Sequence, residues 1–504
     1  MKGYDATGGG GREAFLNYIG GQWIGARSGK TAASINPATG DVLGVVPASG
    51  PEDVEAAVQA AAGAYQSWRK VPAPRRAEIL FRVAERLVGR KEELARLMTR
   101  EMGKILTEAR GDVQEAIDMG YFIAGEGRRL HGYTAPSEMP NKAAYCRRAP
   151  LGVVGIITPW NFPMAIPSWK IFPALVCGNT VVFKPASYTP LLALKFVELF
   201  EEAGLPPGVL NIVTGVGSTV GDALVAHPSV RVVSFTGSTE TGLRLAEACG
   251  RLGKRISLEM GGKNAAIVLP DADLSFATDA LIWSAFGTSG QRCTACSRII
   301  VHEAVRSELT QRLAARTRAL RLGDGLLPET DVGPVVSDVQ LDRIHEYVEI
   351  GQKESARLVT GGGRARGGAL DKGSFYTPTI FDQVRPEMRI AREEIFGPVV
   401  VLMEARSLDE AVAIVNESSY GLSASIFTRD IGAAMRAIDD IDTGIVYVNH
   451  GTIGAEVHLP FGGTKQTGNG HREGGVQVLD VFSEWKAVYI DYSGRLQRAQ
   501  IDRD

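Results

Sequence analysis

Two cysteines, Cys293 and Cys296, lie three positions apart in the stretch GTSGQRCTACSR. Three kinds of chemistry use this spacing: a redox pair, half of a structural zinc site, or one nucleophilic thiolate with an unreactive neighbour. A structural zinc ion needs about four nitrogen or sulfur ligands. The other cysteines, Cys146, Cys177 and Cys249, are isolated, and the histidines show no ligand spacing, so the sequence predicts no metal site.

Spacing alone does not separate the remaining interpretations. A redox pair and two small side chains within a helix both stay open on this stretch. A single nucleophile that oxidises an aldehyde needs three helpers: donors for an oxyanion, an acceptor for hydride, and a base that activates water afterwards. Short motifs elsewhere in the chain contain residues of these types.

Phe286, Gly290, Gln291, Cys293 and Arg298 follow the cysteine signature of the aldehyde dehydrogenase superfamily. Further stretches resemble that family's motifs in the family's order: PWNFP at 159–163, VVFKPAS at 181–187, FTGSTETG at 235–242, LEMGGKN at 258–264, EEIFGPV at 393–399 and LPFGGTKQTGNG at 459–470. Several motifs in one order over most of the chain are far more specific than any one of them. The sequence is therefore similar to NAD(P)-dependent, non-acylating aldehyde dehydrogenases.

The resemblance implies a catalytic role for three residues. Cys293 is the expected nucleophile, Asn161 and the backbone N–H of Cys293 are the expected oxyanion donors, and Glu259 is the expected general base. A cysteine thiolate is strongly nucleophilic, and its thioester is readily hydrolysed. Each oxyanion donor lowers the barrier by about 3–4 kcal/mol. Gly261 and Gly262 lack side chains and are expected to leave room around Glu259.

The resemblance also implies NAD or NADP as the hydride acceptor. The usual G-x-G-x-x-G is absent, but TGSTETG opens a predicted helix whose N-terminus favours pyrophosphate. NAD-preferring relatives often have a glutamate where this chain has Ser187, so both cofactors are expected to work. Lys184 is expected at the adenosine ribose and Glu394 at the nicotinamide-side ribose. The full set of expected cofactor residues is Trp160, Lys184, Ser187, Gly237, Ser238, Gly242, Glu394 and Phe396.

The expected partner is a small-molecule aldehyde. The candidate substrate residues are Phe162, Trp169, Arg292, Thr294 and Phe461. Arg292, next to the nucleophile, suggests a semialdehyde that carries a carboxylate, such as succinic or 2-oxoglutaric semialdehyde. The alternative is that Arg292 points into the protein and pairs with an acid.

Two other functions are weighed against this one. A catalytically idle structural or binding protein could use the same fold, since a fold does not guarantee activity. Loss of Cys293 or Glu259 would mark such a protein, and both are present. A CoA-acylating dehydrogenase is disfavoured by Glu259, because a base that activates water favours release of the free acid.

The pattern of the chain predicts an α/β protein. From Leu151 onward, short β-branched strands alternate with amphipathic helices, which predicts a parallel sheet covered on both faces. The resemblance implies an aldehyde dehydrogenase-like fold with a Rossmann-type cofactor domain, an α/β catalytic domain and a β oligomerisation arm. Their expected bounds are 1–130 and 151–261, 262–462, and 131–150 with 477–504, respectively.

The last predicted strand needs a partner. The tail VFSEWKAVYIDYS alternates like a strand and is expected to pair with the 131–150 segment, in this or another subunit. The family resemblance implies that such an arm builds a homo-oligomer, a dimer or a tetramer.

Composition restricts the partners and the compartment. With 504 residues and a net charge of −2, without a block of like charge, the chain is not expected to bind nucleic acid or a membrane. The start, MKGYDATGGGGREAF, has no apolar signal segment and predicts a frayed lead-in. Few, scattered cysteines indicate a reducing compartment, so a cytoplasmic location is expected.

Overall fold

The computed structural model describes residues 15–501. The predicted lead-in at 1–14 and the predicted end of the arm at 502–504 lie outside the described residues. Within 15–501, no helix combines the length and the apolar character needed to cross a bilayer.

Helices and strands alternate along most of the chain. The helices are α1 (Pro51–Trp68), α2 (Ala73–Gly89), α3 (Lys91–Met102), α4 (Leu106–Glu126), α5 (Ala165–Val176), α6 (Pro190–Glu202), α7 (Asp222–Ala226), α8 (Thr239–Arg251), α9 (Leu274–Phe286), α10 (Glu303–Arg318), α11 (Asp338–Lys353), α12 (Arg389–Arg392), α13 (Leu408–Asn416), α14 (Ile431–Asp440) and α15 (Val478–Val481). The strands are β1 (Asn17–Ile19), β2 (Gln22–Ile24), β3 (Thr31–Ile35), β4 (Val42–Pro47), β5 (Tyr133–Pro136), β6 (Lys142–Pro150), β7 (Val153–Ile157), β8 (Thr180–Lys184), β9 (Leu210–Ile212), β10 (Val230–Thr236), β11 (Arg255–Glu259), β12 (Ala265–Val268), β13 (Arg298–His302), β14 (Arg357–Thr360), β15 (Thr379–Asp382), β16 (Val399–Ala405), β17 (Tyr420–Gly421), β18 (Ser423–Phe427), β19 (Ile445–Val448), β20 (Thr464–Lys465) and β21 (Ser483–Asp491).

The first sheet has the strand order β11-β10-β7-β8-β9-β1-β2. Strands β11 to β9 in this order are parallel, as the alternation of strands and helices predicts. Strands β1 and β2, which precede the region of that prediction, join the sheet antiparallel at one edge. These strands come from a hairpin, Asn17–Ile24, whose tight turn returns the chain beside itself and so forces the antiparallel direction.

Each face of the first sheet is covered by helices. One apolar core contains buried residues of α2, α3, α4, α5 and α6, and the core on the other face contains residues of α1, α7 and α8. The central strands β7 and β8 are buried along their whole length, which explains their continuous apolar sequences.

The second sheet has the order β14-β15-β16-β13-β12-β18-β19. It is parallel except for β14, which pairs antiparallel with β15 at one edge. Helices α11, α13 and α14 cover one face, and α9 and α10 cover the other.

The arm is a separate sheet of three strands in the order β21-β6-β5. The predicted pairing of the tail with the 131–150 segment is confirmed within one chain: β21 runs antiparallel to β6 from Ser483↔Pro150 to Asp491↔Lys142. Its outer surface leaves aromatic side chains exposed, with Tyr489 at 69%.

The two large sheets meet at the segment 260–264. This segment leaves the carboxyl end of β11 and enters the amino end of β12. The carboxyl edge of the first sheet therefore faces the amino edge of the second. In α/β sheets, ligands bind at the carboxyl ends of strands.

Candidate active site

Cys293 lies in a loop between α9 and β13, at the amino edge of the second sheet. The loop begins with a left-handed turn at Thr288, Ser289 and Gly290, with φ of 53°, 54° and 68°. A Cβ at Gly290 would approach the Gly397 carbonyl oxygen to 2.2 Å, so only glycine fits there. Positive φ values are strained for Thr288 and Ser289, and strain of this kind is common at functional sites.

Two hydrogen bonds hold the loop on either side of the cysteine. The buried Gln291 accepts from the Val336 N–H at Oε1, 3.0 Å away. The Cys293 carbonyl accepts from Asn264 Nδ2 at 2.7 Å. Because a Cβ at Gly262 would lie 2.7 Å from that same carbonyl oxygen, a glycine is needed at this position.

Cys296 faces the other way. Its side chain is buried among the apolar residues between the second sheet and α9, and its thiol lies 3.5 Å from the Arg298 carbonyl. The segment between the two cysteines is a loop, so the helical interpretation of this stretch is wrong. All five cysteines are free, and residues 15–501 contain no group of three or more His, Cys, Asp or Glu side chains suited to a metal ion.

Asn161 reaches this loop from the first sheet. It follows β7, is buried, and donates from Nδ2 to the Gln291 carbonyl at 3.1 Å. Its Oδ1 has no partner within the described residues. The Asn161 amide thus contacts the backbone of Gln291, which lies two residues before Cys293.

Glu259 ends β11 and has no hydrogen-bond partner on either carboxylate oxygen within residues 15–501, although it is buried. Burial and the charge of Glu473 raise its pKa well above the ordinary value, against the opposing charges of Lys170 and Arg472. A buried acid without a partner is a costly feature that catalysis can use.

The glycines that make room for Glu259 are not those expected. A Cβ at Gly462 would lie 2.5 Å from Glu259 Oε1, whereas a Cβ at Gly261 would collide with Glu394 Oε2 at 2.4 Å. Gly261 therefore admits the Glu394 carboxylate rather than Glu259. The late loop at 459–470 passes beside Glu259 because Met260 N–H donates to the Thr467 carbonyl at 2.7 Å.

Two neighbours of Glu259 were missed by sequence reasoning. The Lys170 ammonium group is fully buried, contacts the Glu473 carboxylate, and donates to Ser234 Oγ at 2.9 Å. The available signal was a lone charge in the apolar helix AIPSWKIFPALV, since a buried lysine needs an anionic partner.

The thiol of Cys293 is neutral at rest. Burial raises its pKa to about 12, and the negative charges of Glu394 and Glu259 add to this effect. Burial also raises the pKa of Glu394 to about 7. Glu394 is half-buried and accepts from the Gly262 N–H at 3.0 Å, so it is not an exposed charge at a helix end.

The other expected cofactor residues lie along the carboxyl edge of the first sheet. Trp160 follows β7 and packs edge-on against Phe396, with ring centroids 5.4 Å apart. Ser238 is the N-cap of α8 and accepts from the Thr241 N–H. A Cβ at Gly237 would lie 2.5 Å from the Phe235 ring, and one at Gly242 would lie 2.3 Å from Met260 Sδ, so both glycines are required by packing.

These residues fit a dinucleotide. Lys184 ends β8 with a buried ammonium group whose hydrogen bond within the described residues goes to the Pro185 carbonyl, 2.8 Å away. Burial lowers its pKa to about 8. Thr236 ends β10 with a buried hydroxyl that has no partner in residues 15–501. A buried cation, an unpartnered hydroxyl and the open start of α8 together suit phosphate and ribose groups.

The expected substrate residues make contacts of their own around this region. Trp169 and Phe461 pack edge-on at 5.2 Å, and Trp169 Nε1 is buried without a partner in the described residues. Thr294 is buried, and its carbonyl accepts from Thr452 Oγ1 at 2.6 Å. Phe162 faces two cations, because the Lys104 ammonium lies 3.8 Å and the Arg292 guanidinium 5.6 Å from its ring centroid.

Arg292 is paired with an acid. Its Nη2 donates to Glu108 Oε1 and its Nε to Thr288 Oγ1, each at 2.9 Å. Glu108 also accepts from the Thr288 N–H at 2.8 Å. Two of the three side-chain nitrogens of Arg292, Nε and Nη2, therefore bond within the protein, as the alternative of an inward-pointing Arg292 predicted.

Comparison with known proteins identifies the family. The model described as "Aldehyde dehydrogenase family" matches residues 23–488. The alpha-ketoglutaric semialdehyde dehydrogenase of Bacillus subtilis (strain 168) is 45% identical over 480 residues, which are 95% of this chain and 98% of that protein. Malonate-semialdehyde dehydrogenase 2 of Geobacillus kaustophilus (strain HTA426) is 44% identical over 457 residues, 91% of this chain and 94% of that protein. Among solved structures, betaine aldehyde dehydrogenase from Staphylococcus aureus in complex with NAD+ has a TM-score of 0.94 at 35% identity, covering 95% of each chain.

Proposed function

The chain belongs to the aldehyde dehydrogenase family, an NAD(P)-dependent class that oxidises aldehydes to carboxylic acids, and on that premise we propose which aldehyde it takes and which residues act. The proposed substrate is a semialdehyde, an aldehyde that carries a carboxylate at its other end. Two observations support this class: the semialdehyde dehydrogenases among its relatives, and Arg292 beside Cys293.

Arg292 supports a substrate that carries a carboxylate, because one of its guanidinium nitrogens is available to donate a hydrogen bond to a ligand. Nη1 forms no hydrogen bond within residues 15–501, while Nε and Nη2 fix the plane of the guanidinium. The group packs between the rings of Phe162 and Trp283, 5.6 and 5.1 Å from their centroids. A guanidinium held in plane is well suited to bind a carboxylate.

In the proposed mechanism, Cys293 Sγ gives its proton to solvent water, and the thiolate attacks the aldehyde carbon. The carbonyl oxygen becomes an anion that the Asn161 amide and the Cys293 backbone N–H stabilise. When bound, NAD(P) supplies the acceptor for the hydride that leaves this carbon. Glu259 then takes a proton from water, which attacks the thioester and releases the acid. Lys170 and Glu473 hold charge beside Glu259 and set its affinity for that proton.

The proposed cofactor contacts follow from the sheet edge. Lys184 would hold the adenosine ribose, the start of α8 at Gly237, Ser238 and Gly242 would hold the pyrophosphate, and Glu394 would hold the nicotinamide-side ribose. Trp160 and Phe396 would pack beside the ring end. Ser187 donates to the Gly215 carbonyl at 3.1 Å and places no negative charge at the ribose, which supports use of both cofactors.

One observation carries the proposed chemistry: Asn161 from the first sheet and Cys293 from the second are joined through the Gln291 carbonyl, beside a buried Glu259 with no partner among the described residues. The test is to mix the enzyme with cofactor and succinic semialdehyde, quench within one turnover, digest, and weigh the peptides. An acyl adduct on the Cys293 peptide is expected. An adduct on Cys296, or none in an active preparation, contradicts the assignment.

We also propose a homo-oligomer built through the arm, either a dimer or a tetramer. The arm sheet exposes Tyr133, Trp485, Tyr489 and Ile490, at 59%, 46%, 69% and 50%. Aromatic and aliphatic groups at this density are typical of interfaces. The free thiols support the cytoplasm as the proposed compartment. Light scattering after gel filtration measures the assembly.

A further inference from the structure

Helix α4 carries a line of three acidic residues beside the substrate side of the site. Glu108, Asp112 and Glu115 are spaced by four and three positions, so they lie on one face of the helix. The first two are paired. Glu108 binds Arg292, and Asp112 binds the buried Lys104 ammonium at 2.9 Å and accepts from the Ala165 N–H at 2.7 Å.

Glu115 differs from the other two. It is half-buried, and within residues 15–501 it accepts no hydrogen bond and forms no ion pair. It lies about one helical turn from Asp112, on the face of α4 that holds Arg292 through Glu108. Neither catalysis nor the cofactor contacts use it.

The cluster has one carboxyl group more than it has cations. Lys104 is held by Asp112 and Arg292 by Glu108, which leaves Glu115 without a partner. Burial and then the charge of Asp112 raise the pKa of Glu115 to about 8, with Lys104 and Arg292 opposing and Asp118 adding to the rise. At neutral pH the group is therefore mainly a protonated acid, which can donate a hydrogen bond.

The face of α4 that holds Arg292 through Glu108 thus also carries Glu115, so two different polar groups are available on this face. The open Nη1 of Arg292 attracts a carboxylate. The acid of Glu115 can donate to an oxygen acceptor beside that carboxylate, and in this form it does not repel the anion. An unsubstituted chain would leave the half-buried acid without a partner, which is costly.

We propose that Glu115 is a specificity-determining residue that binds the oxygen of a keto or hydroxyl substituent next to the substrate carboxylate, while Arg292 binds the carboxylate itself. The inference rests on the proposed function, because it assumes an aldehyde with an acid at its far end. The preferred class is then the 2-oxo or 2-hydroxy acids with a terminal aldehyde, rather than unsubstituted acids of the same length.

The test uses three aldehydes of five carbons: 2,5-dioxopentanoate, 5-oxopentanoate and pentanal. The kcat/KM of each is measured for the full-length enzyme, for Glu115→Leu and for Glu115→Gln. In the wild type, 2,5-dioxopentanoate is preferred over 5-oxopentanoate. Glu115→Leu is expected to reduce this ratio about tenfold, mainly through KM, since it removes one hydrogen bond. Glu115→Gln keeps an N–H donor and is expected to keep most of the ratio.

The pH profile of the wild type is a second test that needs no variant. The preference for the 2-oxo acid should fall as pH rises above about 8, because an ionised Glu115 cannot donate and repels the anion. In Glu115→Gln the ratio should not change with pH. A structural role would lower both acids equally and would leave the ratio constant.

The outcomes separate the two hypotheses. If both acids are better substrates than pentanal but their ratio is the same in all three proteins, the role of Glu115 is wrong and the proposed function stands. If neither acid is better than pentanal, the semialdehyde function itself is wrong, and the inference fails with it.

Discussion

Asn161 donates a hydrogen bond from Nδ2 to the Gln291 carbonyl, 3.1 Å away. The donor follows a strand of the first sheet and the acceptor lies two residues before Cys293, at the edge of the second sheet. One side-chain amide therefore ties the proposed oxyanion donor to the nucleophile loop across the junction of the sheets. A substrate oxygen placed beside Cys293 would meet an amide that the fold already holds in place, which is the requirement for electrostatic catalysis.

Replacing Asn161 by alanine should lower kcat by about 10²–10³-fold, because one oxyanion donor is lost. KM should change little, since the interaction strengthens only as charge develops. Steady-state reduction of cofactor measures both. Asn416→Ala, at a half-buried asparagine that donates to the Asp440 carbonyl, is the control and should keep its activity. Equal losses in the two variants would contradict the role of Asn161.

Glu259→Gln should form the acyl-enzyme but release it slowly. A burst of reduced cofactor close to one per active site is expected, followed by steady turnover about 10²–10⁴-fold slower, because water loses its general base. Stopped-flow absorbance measures both phases. Glu247→Gln, on the exposed face of α8, should show no burst. Normal steady turnover in Glu259→Gln would assign deacylation to another group.

Alkylation of Cys293 by iodoacetamide should increase about tenfold per pH unit from pH 7 to pH 9, because only the thiolate reacts. The raised pKa of Cys293, about 12, keeps the thiolate fraction small and rising throughout this range. Glu394→Gln removes a negative charge and should accelerate alkylation at pH 8 by several-fold. Glu393→Gln is the adjacent control, because its carboxylate pairs with Arg389 instead. A rate that is already constant at pH 7 would show that the thiol is ionised at rest.

The wild type should use NAD and NADP with comparable kcat/KM. Ser187→Glu should reduce NADP use by about a hundredfold and spare NAD, because a carboxylate repels the 2′-phosphate at close range. Ser187→Ala removes the hydroxyl without adding charge and should keep both cofactors. An NADP activity of the wild type about a thousandfold below that with NAD would contradict the assignment of Ser187, since so large a gap corresponds to about 4 kcal/mol.

The buried ion pair of Glu108 and Arg292 should matter for stability. Glu108→Ala leaves a guanidinium that is 11% exposed without its counter-charge, and the free energy of unfolding should fall by about 3 kcal/mol. Glu308→Ala breaks an exposed pair with Arg312 on α10 and should cost at most about 0.5 kcal/mol. Urea unfolding followed by fluorescence compares the two. Equal effects would show that burial does not control the value of these pairs.

The sequence predicted the first sheet well because the order of strands and helices there is strictly local. The strands Val153–Ile157, Thr180–Lys184 and Val230–Thr236, each followed by a helix, lie in the region from Leu151 onward where the alternation predicts them. The antiparallel edge strands β1 and β2 were not predicted, since three-residue strands have too few side chains to show alternation.

The sequence identified some residues of the candidate site and missed others. Residues with a family motif, such as Cys293 and Glu394, could be assigned from the sequence. Lys170 was missed although its apolar helix offered a signal. Glu473 and Glu115 could not be assigned, because a glutamate has the same local pattern whether it faces water or a cavity. The room around Glu259 was assigned to the wrong glycines for a similar reason, as adjacency along the chain does not specify which side chain fills a gap.

The sequence by itself determined the residue types and their order: a thiol, an amide, two carboxylates, and the strands that precede most of them. Strand and turn signals depend on neighbours a few positions away, so they can be recovered from the chain. Only the tertiary structure decided which charges are paired. Glu115, seven residues after Glu108, lacks a partner among the described residues, because pairing depends on distances through space: Glu108 pairs with Arg292, 184 positions away, and no cation reaches Glu115 in the same way.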